Sequence, residues 1–129
     1  MVSVAERLDT LRAEIPGCSL VAFGDMRANV ILRSSQDRAV PREQLDELCR
    51  VATNHFTGPK AQAVSKHLTQ GADGDLEVAI VLTVDDTRIF VTTPGHDADM
   101  LCCVCDGQVD AGQAVESARA GLKDILGTL

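Results

Sequence analysis

Residues 77–105 read EVAIVLTVDDTRIFVTTPGHDADMLCCVC. Three runs rich in Val, Ile, Thr and Phe lie in this segment, broken at Asp85-Asp86 and again over residues 94–99. Short β-branched runs bounded by turn residues predict three strands joined by hairpins. Connections this tight join only antiparallel neighbours. A strand with one wet face would alternate apolar with polar residues, and these do not. Val78, Ile80 and Leu82 fall on one face of the first strand, with Ala79 and Val81 on the other. Phe90 opposes Ile89 and Val91 in the same way, and Leu101 opposes Met100 and Cys102. A sheet apolar on both faces has to be covered on both. The flanking segments are therefore expected to place at least one helix on each side.

Upstream, Ser3 followed by Glu6 is a capping box, and Val4, Leu8, Leu11 and Ile15 recur at helical spacing until Pro16-Gly17 stops them. CSLVAF (18–23) and ANVILRSS (28–35) are two further apolar runs, joined by GDMR, and predict a hairpin. Pro41 suits the first turn of a second helix, with Glu43 near its positive end. Leu45, Leu48 and Ala52 mark one face of that helix, and Val51 and Phe56 widen the stripe. Gly58-Pro59 interrupts it, residues 61–68 are expected to continue helical after a kink, and 71–75 form a loop. Beyond Cys105, Asp110 and Gln113 make another capping pattern. Val115, Ala118, Leu122, Ile125 and Leu129 then follow by threes and fours. The expected order is α-β-β-α-β-β-β-α, one domain over residues 1–129 with no internal repeat.

The bulk composition narrows the function. Of the 129 residues 45% are hydrophobic, enough for a core without staples, but only 2% are aromatic. So few rings disfavour a stacking platform for nucleic acid. A net charge of -7 argues against phosphate backbones and anionic membranes as partners. The N-terminus is charged from its first residues and has no apolar run before a cleavage site, and no run is long enough to span a bilayer. With five cysteines, an odd number, the expectation is a cytoplasmic protein with reduced thiols.

Motifs for chemistry are sparse. The sequence has no phosphate loop, no G-x-G-x-x-G, no H-E-x-x-H and no G-x-S-x-G. Cys102 and Cys105 form a C-x-x-C, but on a strand their odd separation sends them to opposite faces. Core packing is the preferred reading of the cysteines. His96, Asp97 and Asp99 gather where an ion site is conceivable, though Pro, Gly, Asp and His are also what a turn needs. His55 and His67 read as surface residues, and Arg27 and Arg88 as single exposed cations with at most a finger-like role toward a phosphate. No catalytic residue, cofactor or metal is assigned, and the chain is not expected to be an enzyme.

Two segments carry a family resemblance. LDTLRAEIPGCSLVAFGDMRANVILRSS (8–35) has a helix ending in I-P-G, a strand, a turn with Gly and Asp, and a strand ending in small polar residues. The meander of residues 77–105 and its following amphipathic helix complete the pattern. Together they resemble the Roadblock (dynein light chain) family. The resemblance implies a five-stranded antiparallel sheet, with the first and last helices on one face and the middle helix on the other. It also implies homodimers, or heterodimers with a related Roadblock chain, paired through the third strands and middle helices. For bacterial members it implies partnership with a small Ras-like GTPase in polarity or motility control, and for eukaryotic ones dynein attachment or lysosomal scaffolding. The residues lead to a similar place. One middle helix is too narrow to cover five strands, and the strand read over 77–84 has no Pro or Lys to guard an edge. The expected contacts are Val78, Ile80 and Leu82 on the strand with Leu48, Val51 and Ala52 on the helix. The reading is thus a non-enzymatic dimerising scaffold or regulator. The alternative is a sensory domain holding a small ligand between sheet and helix, and a cysteine-based enzyme comes third.

Overall fold

The computed structural model describes residues 3–57 and 77–128. Helix α1 (Val4–Glu14) begins as the capping box requires: Ser3 Oγ accepts from Glu6 N–H, and the Glu6 carboxylate accepts from Ser3 N–H. Strands β1 (Cys18–Asp25) and β2 (Val30–Gln36) follow, then helix α2 (Arg42–Thr57). After these come β3 (Val78–Leu82), β4 (Thr87–Thr93), β5 (His96–Cys105) and helix α3 (Ala111–Thr128). Asp110 Oδ1 accepts from Gln113 N–H at 3.1 Å, so the second capping pattern also does what its spacing predicts. The Gly58-Pro59 break, the continuation over 61–68, His67 and the loop at 71–75 lie outside the described residues.

The strands form one sheet in the order β2-β1-β5-β4-β3, each neighbouring pair antiparallel. Each face carries its own core. On one, Leu8 and Leu11 of α1 and Ala118, Leu122 and Ile125 of α3 pack on Val21, Phe23, Ile89, Val91, Leu101 and Cys103. On the other, Leu45, Leu48, Cys49 and Ala52 of α2 pack on Leu20, Ala22, Ile31, Phe90, Met100 and Cys102. The alternation along each strand thus does divide the sheet into two apolar faces. The helices fall where the resemblance puts them, α1 and α3 together and α2 opposite.

Two boundaries differ from the sequence expectation. The third predicted strand starts at His96 rather than Met100. The hairpin needs only Pro94-Gly95 as its tip, because Pro fixes the first turn residue and Gly95 supplies the positive φ of 83° at the second. Thr93 and His96 already face each other across it. The segment from His96 to Asp99, read as turn from its polarity, is ladder. The first strand of the meander, read over 77–84, is shorter and spans Val78–Leu82. Thr83 Oγ1 accepts from the Asp85 and Asp86 N–H groups at 3.2 and 3.0 Å, closing the turn early.

Gly17 links α1 to β1 in the left-handed region, φ 78°. A Cβ there would collide with the Asp106 carboxylate, while Asp106 N–H donates to Gly17 O at 3.0 Å. Gly17→Ala therefore meets a conformational cost of about 1–2 kcal/mol and a steric one. Urea unfolding should show the variant destabilised by at least that amount with an unchanged m-value.

Candidate interaction surface

Among the described residues β3 is the last strand of the sheet, paired to β4 alone. Glu77 O accepts from Thr92 N–H at 2.8 Å, and Thr83 N–H donates to Asp86 O at 2.9 Å. Antiparallel ladders alternate, so residues 77, 79, 81 and 83 turn their backbone groups toward β4. Val78, Ile80 and Leu82 turn theirs outward. The side chains of these three rise on the α1/α3 face. Val78 is partly buried in that core. Ile80 is 47% exposed, Leu82 76%, and Val84 beyond them lies fully in solvent. Helix α3 packs over β4 and β5, and Arg119 Nη2 reaches Glu77 Oε2 at 2.8 Å beside the start of β3. Among the described residues the outer edge of β3 has no strand partner, and an apolar stripe lies beside it, a template for a further strand.

The helix residues expected to share this surface divide. Leu48 is 7% exposed and Ala52 0%, both turned into the core that α2 forms on its own sheet. Val51 is partly buried at the margin of that core. Positions 45, 48, 49 and 52 are the i, i+3, i+4, i+7 set that a helix lying flat on a sheet must bury. Cys49, missed in the sequence reading, is at the centre of it. On the outer side of α2, Arg50 pairs with Glu47 and holds its carboxyl below the usual range. Exposed His55 stacks over Phe90, ring centroids 6.3 Å apart.

The other candidates are dispersed. His96 and Asp99 sit in β5, with Nδ1 and Oδ2 3.6 Å apart. Among the described residues no group of three or more His, Cys, Asp or Glu is arranged to hold a metal ion. Arg88 is half-buried and tied to Asp86 at 3.1 Å, opposite Val104 near the end of β5. Arg27 is in the β1–β2 turn, where neighbouring Met26 N–H donates to Ala98 O near the start of β5. Six residues of strand, roughly 20 Å at 3.3 Å each, separate those two levels. The two arginines cannot converge on one phosphate.

The thiols on the α2 face are not activated. Burial, then the Asp25 and Asp46 carboxylates, pushes Cys49 up to about 11, and burial raises Cys102 as well. Neither presents a thiolate at neutral pH, which a cysteine nucleophile needs.

No protein-family model matches the sequence, and no curated protein matches it. Solved structures do share its architecture. A Roadblock/LC7 domain from Streptomyces avermitilis superposes with a TM-score of 0.76 at 11% identity, covering 98% of this chain and 97% of that one. The gliding protein MglB from Thermus thermophilus gives 0.74 at 15% identity, covering 95% and 84%. Myxococcus xanthus MglB gives 0.71 at 12%, covering 98% and 96%. The chain has the Roadblock fold. No helix among the described residues is long and apolar enough to cross a membrane.

Two measurements check this geometry. Leu48→Ala should cost about 2–5 kcal/mol in urea unfolding at every protein concentration, because Leu48 fills the chain's own core. The Cys49 thiol should give an alkaline signature. Its folded value lies above the unfolded value of 9.0, so its contribution is complete below pH 9 and is lost as pH rises through about 11. The stability difference between wild type and Cys49→Ala should therefore shrink between pH 9 and pH 11.

Proposed function

We propose that this protein is a non-catalytic regulator that works as a dimer, built by pairing the β3 edges of two copies, and that the dimer docks a small Ras-like GTPase. The edge of β3 carries this reading: among the described residues it pairs with β4 alone, and it exposes two large apolar side chains, Ile80 and Leu82. A second copy would extend the sheet and place Val78, Ile80 and Leu82 against their equivalents. Val51 would sit at the helix margin of the contact, with Leu48 and Ala52 behind it. Burying Ile80 and Leu82 contributes on the order of 1.5–3 kcal/mol each. The Roadblock fold agrees with the sequence resemblance, and it is that resemblance that implies the GTPase as partner. Such a dimer acts by holding the GTPase's own catalytic loop in place and needs no catalytic residue of its own.

The sensory alternative has less room. Phe90, Met100 and Cys102 under α2 are fully buried, with Cys49 and Ala52 above them. What room there is lies toward one end of that layer: among the described residues a cavity of about 410 Å³ opens between the start of α2, the sheet residues Leu20, Arg88 and Val104, and the β3–β4 turn.

Light scattering on wild type and Ile80→Asp tests the proposal. The wild type should weigh about twice the 13.7 kDa chain. The variant, substituted at a half-exposed position, should stay folded and weigh one chain. The wild-type dimer should then retain a Ras-like GTPase in one nucleotide state and Ile80→Asp should retain it weakly. A folded wild-type monomer at the highest soluble concentration would sink the reading.

A further inference from the structure

Three of the five thiols are gathered at one place that the proposed regulator does not use. Cys18, Cys103 and Cys105 lie on the α1/α3 face, where β1 begins and β5 ends. Cys103 and Cys105 are buried, while Cys18 is partly open to solvent. Cys18 and Cys105 are partners in the β1–β5 ladder, next to a bulge between Cys18 and Leu20, and Cys103 faces Val21 further in. The backbone shows which kind of pair this is. Cys18 N–H is used up in the α1–β1 turn, donating to Ile15 O at 3.1 Å, and the ladder bond beside it runs from Asp106 N–H to Gly17 O. Residues 18 and 105 therefore face each other in a non-hydrogen-bonded position. There Cα atoms approach to about 4.5 Å, inside the roughly 4.4–6.8 Å that a disulfide accepts.

We propose that Cys18 is a hydroperoxide-reactive thiol and that Cys105 resolves it into an intrachain disulfide. The Cys18 thiolate attacks one oxygen of the peroxide. The O–O bond breaks, the sulfur is oxidised to a sulfenic acid, and the other oxygen leaves as hydroxide or alkoxide and takes up a proton. The Cys105 sulfur then attacks the sulfenic sulfur, the S–O bond breaks, and the oxygen leaves as water with the thiol proton. Two thiols and one hydroperoxide give one disulfide plus water and an alcohol, or two waters for hydrogen peroxide. The surroundings favour this division of labour. Cys18 Sγ–H donates to Leu20 O at 3.3 Å; the neighbouring Cys103 and Cys105 thiols, with Arg12 nearby, hold Cys18 below the ordinary thiol value, while Cys105 is raised. The thiolate thus forms on the one residue of the three that is not buried. The opposite-face thiols, Cys49 and Cys102, take no part.

Reduced wild type treated with hydrogen peroxide, then denatured and counted for free thiols, should fall from five to three per chain. Peptide mass mapping without reductant should find Cys18 joined to Cys105. In Cys105→Ser the Cys18 sulfenic acid should persist and be captured by a cyclic 1,3-dione. A wild-type count that stays at five, a Cys18 link to Cys103 or to a second chain, or a disulfide that forms equally fast in urea would overturn the proposal.

Discussion

The antiparallel ladder between β1 and β5 is the contact on which the rest of the structure depends. Each other strand pair joins sequence neighbours through a turn: β1 to β2, β3 to β4, β4 to β5. Only β1–β5 brings residues 18–25 against residues 99–105 and makes one sheet from a hairpin and a meander. Loop closure on that scale costs entropy before any contact repays it, so the pair must be strongly apolar. It is. Val21, Ala22, Leu101, Cys102 and Cys103 have 0% exposure, and every side chain from Leu20 to Phe23 and from Met100 to Cys103 is buried.

Placing β1 and β5 in the middle determines the margins. β2 closes one side, where Arg42 Nη2 donates to Ile31 O at 2.6 Å and Arg12 Nε to Ser35 Oγ at 2.9 Å. Both cationic side chains come from helices, so both layers are tied to that edge. β3 closes the other side with much less. It is five residues long, and Ile80 and Leu82 stay in solvent. Among the described residues the two edges thus differ: β2 is braced from two helices, while β3 pairs with β4 alone and has Arg119–Glu77 beside its start. That asymmetry is the physical basis for reading β3 as an interaction surface. The same central ladder gathers the cysteines. Alternation along β5 sends Cys103 and Cys105 to one core and Cys102 to the other.

How much the sequence revealed depends on how local each signal is. Ser3 with Glu6 and Asp110 with Gln113 are satisfied within one helical turn, so their spacing was enough. The face of each strand residue was readable because strand period is fixed at two. The start of β5 was not. His96, Asp97 and Asp99 are turn-like in composition, yet the turn is made by Pro94 and a left-handed Gly95, and ladder pairing overrides the propensity of the residues after it. Leu48 and Ala52 illustrate a different limit. An apolar helical stripe announces that it will be buried without saying against what. Here the chain's own Phe90, Met100 and Cys102 take that place. The Cys18–Cys105 pairing was likewise invisible, since it depends on the register of two strands far apart in the chain.

In the proposed dimer the outer edge of β3 is covered by a second copy of this chain. Amide hydrogen exchange read residue by residue across a dilution series tests it most directly. The N–H groups of Val78, Ile80 and Leu82 point away from β4, so a strand from a second copy would protect them. The account predicts that these three amides are protected at high concentration and exchange freely on dilution, while Ala79 and Val81, bonded to β4, change little. Equal and rapid exchange of Val78, Ile80 and Leu82 at every concentration, with the rest of the sheet protected, would contradict it.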